Sequence, residues 1–179
     1  MKLTVLALFC ITLIAPLKDM ADSRSDWVIR EKPQVIRFLA ASGTPKPEAV
    51  VFMPGDGGWI GSAVEMARMV ASLGYNVYGF DIKTYLTNFT GKTTLSEREM
   101  AADLRALGAW VHQKSGQPVI YAGWSQGANM SLLAGVASKP DEYCRGVLAI
   151  GITDQAVLGW RFIDNLTYFT RQLPNEPMF

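Results

Sequence analysis

The most informative stretch of the sequence is VIYAGWSQGA at positions 119–128. The apolar run at 119–122 predicts a buried strand, and the small and apolar residues at 128–137 predict a helix. Between them lies the pattern G-x-S-x-G, in which a serine occupies a sharp, strained turn between strand and helix. A larger residue at either glycine would clash with the closely passing helix. We therefore predict that Ser125 is a nucleophile raised above a sheet edge, and the alternative is a tight turn with a capping serine.

Strands and helices alternate on both sides of this stretch. The sequence predicts strands at 27–29, 35–39, 49–53, 76–80, 118–122 and 145–152, and helices at 62–73, 96–114, 128–137 and 163–172. Residues 31–33 are predicted to turn between the first two strands, and residues 83–94 to form an irregular loop. This alternation predicts an α/β fold with a mostly parallel sheet and helices on both faces. Ligand sites in such sheets lie beyond the carboxyl ends of the strands.

A second motif, PGDGGW at residues 54–59, directly follows the buried strand predicted at 49–53. Its glycines allow the main chain to approach a bound ester and to point N–H groups at it. We predict that the backbone N–H groups of Asp56 and Gln126 hold the oxyanion that forms during attack by Ser125. The alternative is a plain glycine-rich turn. The Lys-Ser/Thr ending of a phosphate-binding loop is absent, and we expect neither a cofactor nor a metal.

Five residues at the predicted strand ends are candidates for substrate contacts: Asp56, Gly57, Trp59, Asp81 and Trp124. The Asp56 carboxylate would suit a cationic substrate group, although it could instead cap the helix beginning at residue 62 or brace its loop. Asp81 would line the pocket or simply turn the chain. The aromatic residues Trp59 and Trp124, with Tyr85 and Phe89, would form an apolar rim, and core packing is the alternative for each of them.

Length, composition and charge limit the class of protein. The chain has 179 residues, 49% of them hydrophobic, and a net charge of +1 without a basic run. This suits a single globular domain and argues against nucleic-acid binding, which needs a basic surface. Residues 1–21 resemble a signal peptide, with an uncleaved membrane anchor as the alternative, and either one would place residues 22–179 outside the cytoplasm. Removal of Cys10 with this segment would leave Cys144 without a disulfide partner.

The general base that would activate Ser125 is hard to place. In α/β-hydrolases the order along the chain is serine, acid, histidine. The sequence contains one histidine, His112, which precedes Ser125 and lies on a helix predicted to cover a face of the sheet. Asp154, which follows the strand predicted at 145–152, is a candidate for the acid. We expect a complete domain of this kind to add two further strands and a helix that carry the acid and the histidine.

The motifs together resemble the VirJ and AcvB family of bacterial virulence proteins. The similarity is carried by PGDGGW at 54–59, GFD at 79–81, GWSQGA at 123–128 and the tail from residue 158 to 168. The resemblance implies an α/β-hydrolase fold, a periplasmic location, a link to type IV secretion and hydrolysis of lysyl-phosphatidylglycerol. It also implies Ser125 as nucleophile and a substrate-facing Asp56. The partners expected are a membrane lipid and secretion-system proteins. The alternatives are a non-catalytic periplasmic escort for secretion substrates and a fragment without a stable fold.

Overall fold

A computed structural model describes residues 23–89, 95–139 and 141–152 of the chain. Six strands form one sheet in the order β1-β2-β4-β3-β5-β6. Their bounds are β1 (Ser23–Ile29), β2 (Lys32–Leu39), β3 (Ala49–Met53), β4 (Asn76–Phe80), β5 (Val119–Trp124) and β6 (Cys144–Ile150). The helices of the described residues are α1 (Ser62–Ser72), α2 (Ile82–Phe89), α3 (Glu97–Ser115) and α4 (Gln126–Ala137).

The sheet is parallel from β4 through β3 and β5 to β6, whereas β1 and β2 join it as antiparallel strands. All five residues of β3 are buried, as expected of a central strand covered on both faces. The expectation of a mostly parallel sheet is therefore confirmed. It places the ends of β3, β4 and β5 at one edge, which is the edge where the two sequence motifs lie.

Two apolar clusters cover the two faces of the sheet. One face packs against α3 and α4, with Tyr121 and Leu107 wholly buried between them. The other packs against α1, whose alanines at 63, 67 and 71 lie against Val50 and Phe52. The prediction of helices on both faces is thus confirmed, and each face buries the apolar area that stabilises the fold.

Helix α3 has the ends that its sequence predicts. The Ser96 hydroxyl accepts a hydrogen bond from the Glu99 N–H, and the Glu99 carboxylate accepts one from the Ser96 N–H, which completes a capping box. At the other end Gly116 adopts the left-handed conformation, with φ of 70°, and its N–H donates to the carbonyl oxygen of His112.

Two local predictions were wrong. The turn between β1 and β2 lies at Arg30 and Glu31 rather than at 31–33, and both residues have positive φ, 44° and 65°. The Arg30 guanidinium donates to the carboxylate of Asp103 at 2.6 Å, and this bond ties the strained turn to α3. The stretch predicted as a loop from residue 83 contains α2 instead, because Tyr85 and Leu86 pack into the core.

Strand β6 is the last strand on its side of the described sheet. Leu148 and Ile150 are 51% and 44% exposed on it, and Ile152 just beyond is 42% exposed. The predicted helix at 163–172 and the candidate acid Asp154 lie outside the described residues. No helix in the described ranges combines the length and the hydropathy needed to span a membrane.

Candidate active site

Ser125 lies between β5 and α4 in a backbone conformation that side-chain-bearing residues rarely adopt, with φ of 55° and ψ of −123°. Its N–H donates to the Ile150 carbonyl oxygen at 2.8 Å, and its own carbonyl oxygen accepts from the N–H of Ala128 at 2.9 Å. The main chain is therefore held on both sides of the turn. The hydroxyl makes no capping hydrogen bond to α4, and the residue is only partly buried. The alternative of a capping serine is thus wrong, and the hydroxyl remains available to a reactant.

The two glycines of the motif are sterically required, as predicted. A Cβ atom on Gly123 would overlap the main-chain carbonyl of Gly127, and one on Gly127 would overlap the carbonyl oxygens of Met53 and Pro54. These neighbours are main-chain atoms in packed elements, so they cannot move aside as the end of a flexible side chain can. The first turn of α4 therefore lies directly against the end of β3.

The structure brings the two sequence motifs together at Gly55. A Cβ atom built on Gly55 would lie 3.3 Å from Cβ and 3.6 Å from Oγ of Ser125. The N–H of Gly58 donates to the Gly55 carbonyl oxygen at 3.0 Å and closes a tight turn, which we call the glycine turn, over residues 55–58. Asp56 and Gly57 form its exposed tip. Main-chain groups of this turn therefore lie beside the hydroxyl.

Gln126 is the first residue of α4 and follows Ser125 directly. The amides of the first turn of a helix point out of its N-terminal end, where the helix dipole favours negative charge. The Gln126 amide therefore belongs to the N-terminal end of α4 beside Ser125, and the Asp56 amide belongs to the glycine turn. That these two amides form an oxyanion hole stays a prediction.

The carboxylate of Asp56 does not cap α1. That helix begins after Gly61, which serves as its N-cap with no side-chain hydrogen bond. Asp56 is exposed at the tip of the glycine turn. The capping alternative for Asp56 is therefore wrong, and a role toward substrate remains open to it.

Asp81 caps the helix that sequence analysis missed. Its carboxylate accepts from the Lys83 N–H at 3.1 Å and from the Thr84 hydroxyl at 3.2 Å, at the start of α2. Its Oδ1 would lie 3.0 Å from a Cβ atom on Gly58. Asp81 thus turns the chain into α2 and borders the glycine turn, while its predicted contact with substrate stays untested.

Two of the aromatic residues predicted at the rim are in the core instead. Trp59 is 7% exposed, meets Phe52 edge to face at 6.0 Å, and covers Gly79, where any side chain would overlap its ring. Tyr85 is wholly buried and donates its hydroxyl hydrogen to Asp103 at 2.6 Å. The sequence pattern of aromatic residues does not distinguish a rim from a core. These two rings lie in the core because burial of their large apolar area stabilises the fold.

Of the other two aromatic residues, Trp124 remains accessible. It is 36% exposed next to Ser125, and its indole lies within 4 Å of where a Cβ atom on Gly151 would be. Phe89 is partly buried beneath the Arg30 guanidinium, which lies 4.0 Å from its ring centre. Trp124 is therefore the aromatic side chain that the described structure offers to a ligand near the serine.

His112 is remote from the serine. Its Nδ1 lies 2.8 Å from the carbonyl oxygen of Gln117, and its ring stacks on Tyr143 at 5.3 Å. Gln117 precedes β5 and Ser125 follows it, and a strand of this length spans about 20 Å. His112 therefore lies at the opposite edge of the sheet from Ser125, as its place on α3 suggested, too far away to take the proton of the Ser125 hydroxyl.

Lys83 is a neighbour of the site that the sequence pattern does not predict. A Cβ atom on Gly58 would lie 3.2 Å from both Cβ and Cδ of Lys83, so the lysine stem lies along the glycine turn. The polar and aromatic composition of residues 83–94 predicts an irregular loop, which gives Lys83 no defined position. The spacing of Asp81 and Thr84, an acidic cap three positions before a hydroxyl, is the signal that could have revealed α2.

Comparisons with known proteins agree with this fold. The family model of VirJ, a bacterial virulence protein, matches residues 48–156. No curated protein matches the chain. Similar solved structures include esterase Est22, with 17% identity and a TM-score of 0.56, covering 74% of this chain and 44% of that one.

Two further esterases have the same fold. The esterase of Pyrobaculum calidifontis is 18% identical with a TM-score of 0.58, and the match covers 90% of this chain and 60% of that one. Brefeldin A esterase, a bacterial homologue of human hormone sensitive lipase, is also 18% identical with a TM-score of 0.58, covering 81% and 42%. At this identity the likeness shows the fold alone, and the chain spans less than two thirds of each of these proteins.

Proposed function

The chain belongs to the VirJ family of bacterial virulence proteins and has a hydrolase-like fold, and from this premise we propose that it is a periplasmic serine hydrolase. Its nucleophile is Ser125, and its substrate is an aminoacyl-lipid ester such as lysyl-phosphatidylglycerol. The proposal includes a link to type IV secretion. The observation that carries it is the close approach of Gly55 to Ser125, where a Cβ atom on Gly55 would lie 3.3 Å from Cβ of Ser125, because it joins two motifs that are far apart in sequence.

The proposed reaction begins with attack of the Ser125 hydroxyl oxygen on the ester carbonyl. A base takes the hydroxyl proton and passes it to the departing alcohol. The acyl group is then bonded to Ser125, and water hydrolyses this acyl-enzyme to release the acid. The amides of Gln126 and Asp56 stabilise the oxyanion of each tetrahedral intermediate. The base must come from outside the described residues, since His112 lies at the other edge of the sheet.

The charge of Asp56 supports an aminoacyl substrate. In an aminoacyl ester the ammonium group is attached to the carbon next to the carbonyl that the serine attacks. Asp56 follows Gly55, which contacts Ser125, and it is exposed at the tip of the glycine turn. A carboxylate in this place would attract the ammonium group while the carbonyl lies over the hydroxyl.

A fluorophosphonate probe tests the nucleophile. We expect it to label the native chain at Ser125, to fail with Ser125→Ala, and to label Ser62→Ala normally, because Ser62 is an exposed serine at the start of α1. Release of lysine from lysyl-phosphatidylglycerol then tests the substrate. Asp56→Asn should lower turnover, whereas Glu65→Gln, at an exposed position of α1, should leave turnover unchanged. A folded native chain that takes no label would refute the proposed nucleophile.

The periplasmic location is part of the same proposal and has its own test. Residues 1–21 combine a basic start with an apolar run at positions 3–17, which supports export. Alkaline phosphatase, which is active only after export, should become active when it is fused behind residues 1–30. An inactive fusion of normal abundance would contradict the location without affecting the chemistry.

A second candidate function is a non-catalytic escort of secretion substrates in the periplasm. It is favoured by the distance of His112 from Ser125. A pull-down of secretion components that is unchanged in Ser125→Ala would support the escort, provided that the native chain also fails to react with the fluorophosphonate. Loss of these components in Ser125→Ala would count against it.

A further inference from the structure

The glycine turn has a different neighbour at each end. Gly55 contacts Ser125, whereas Gly58 lies against the side chain of Lys83 from α2. The hydrogen bond between these two glycines holds their Cα atoms within about 7 Å of each other, as in any tight turn. The glycine turn alone therefore separates the Lys83 stem from the proposed nucleophile, Ser125.

Main-chain hydrogen bonds fix the position of Lys83. Its own N–H donates to Asp81 at 3.1 Å, and its carbonyl oxygen accepts from the Thr87 hydroxyl at 2.8 Å, so residue 83 is fixed in the first turn of α2. Gly58 has φ of 79° and no side chain, which leaves the space that the Lys83 stem occupies. The ammonium group lies only two bonds beyond the Cδ atom that contacts this glycine.

The Lys83 ammonium has no carboxylate partner in the described ranges. The ion pairs found there involve Arg30, Arg68 and Arg105, and the nearby Asp81 carboxylate accepts main-chain and hydroxyl hydrogens instead. Lys83 is exposed, so its charge faces solvent beside the site. An unpaired cation with a fixed stem attracts an anionic ligand group at close range.

We infer that Lys83 is the residue that binds an anionic group of the substrate, a phosphodiester or a carboxylate, beside the scissile ester. The inference rests on the proposed function and adds a specificity-determining residue to it. Asp56 at the tip of the glycine turn and Lys83 at its end would recognise opposite charges of one substrate. In the proposed lipid, one glycerol unit joins the phosphodiester to the scissile ester, so the two groups lie close together in the substrate.

Equilibrium binding of small head groups tests the inference without requiring turnover. The probes are glycerophosphoglycerol, which carries a phosphodiester, glycerate, which carries a carboxylate, and uncharged diglycerol, each titrated by NMR at low salt. We expect at least one charged probe to bind more tightly than diglycerol. Lys83→Met keeps the apolar stem and should weaken the binding of that probe three- to tenfold. This is about the contribution of one exposed charge-assisted hydrogen bond.

Three controls decide the result. Lys83→Arg should retain most of the binding, and Lys139→Met should retain all of it, because Lys139 is exposed beyond the far end of α4. Added salt should weaken binding of the charged probe to the native chain and should leave its binding to Lys83→Met nearly unchanged. Equal binding of all three probes, or unchanged binding in Lys83→Met, would overturn the inference. If the native chain binds a charged head group but takes no fluorophosphonate label, the proposed nucleophile is refuted and the inference on Lys83 is not.

Discussion

Gly127, in the first turn of α4, lies against the main-chain carbonyl oxygen of Met53 at the end of β3, with no room for a methyl group between them. This contact sets the height of α4 above the sheet. Because α4 begins directly after Ser125 and one residue separates the end of β3 from the glycine turn, this contact also sets the distance between the Ser125 hydroxyl and the turn. Packing of one glycine therefore couples the two halves of the candidate active site.

The first prediction concerns this contact. Gly127→Ala should destabilise the fold by about 3 kcal/mol, the upper end for overpacking, because the new methyl group meets two backbone carbonyls that cannot turn away. Gly146→Ala is the matched control, since a Cβ atom there meets nothing within 4 Å. Urea unfolding followed by circular dichroism measures both. Equal midpoints for the two variants would show that the close approach at Gly127 is not tight.

The second prediction separates access from stability at the glycine turn. In Gly55→Ala the added methyl group would lie 3.3 Å from Cβ of Ser125 and crowd the hydroxyl, so fluorophosphonate labelling should slow roughly tenfold. Gly57→Ala places a methyl group at the exposed tip, where nothing lies within 4 Å, and should label at nearly the native rate. Similar rates for the two variants would mean that Gly55 does not border the reacting hydroxyl.

The strand-to-helix turn was predictable because its requirements are local. Two glycines around one serine, with an apolar strand before and a helix after, leave few backbone alternatives. The structure confirms the turn, the close approach at both glycines and the positive φ of Ser125. The parallel sheet was predictable for a similar reason, since buried strands on both faces read as unbroken apolar runs such as β3.

Side-chain surroundings were not predictable in the same way. Trp59 follows the glycine turn in sequence, but its ring folds back over Gly79 on a neighbouring strand, a contact that only the tertiary structure defines. The helix α2 was missed because Asp81 begins it and Tyr85 anchors it through Asp103, which lies 18 residues further along the chain. Tertiary contacts of this kind override local composition.

The third prediction follows from the strained backbone at Ser125. A residue with a Cβ atom at positive φ costs roughly 1 kcal/mol that glycine avoids. Ser125→Gly should therefore be more stable than Ser125→Ala by about that amount, while neither variant takes up the fluorophosphonate. Thermal melts of the two variants measure the difference. If Ser125→Gly is the less stable of the two, the φ of 55° at this position is not a source of strain.

The fourth prediction concerns stability at high pH. Burial, and then the hydrogen bond that Tyr85 donates to the Asp103 carboxylate, raise the pKa of Tyr85 far above its ordinary value, and burial likewise raises the pKa of Tyr121. A tyrosine ionises near pH 10 in the unfolded chain. Below that pH both states hold the proton, so these groups do not change the stability. Above it the unfolded state loses protons that the folded state keeps, and the free energy of unfolding must fall as pH rises.

We therefore expect the phenolate absorbance of these two tyrosines to appear only together with the loss of far-ultraviolet circular dichroism during alkaline titration. Tyr121→Phe should shift this transition to higher pH, because it removes one buried group whose ionisation favours the unfolded state. The Tyr121 hydroxyl lies 2.9 Å from that of Ser138, so its removal leaves no buried carboxylate without a partner. Tyr85→Phe gives up the bond to Asp103 and should lower stability at neutral pH as well. Full phenolate absorbance in a chain that is still folded would contradict the burial of both rings.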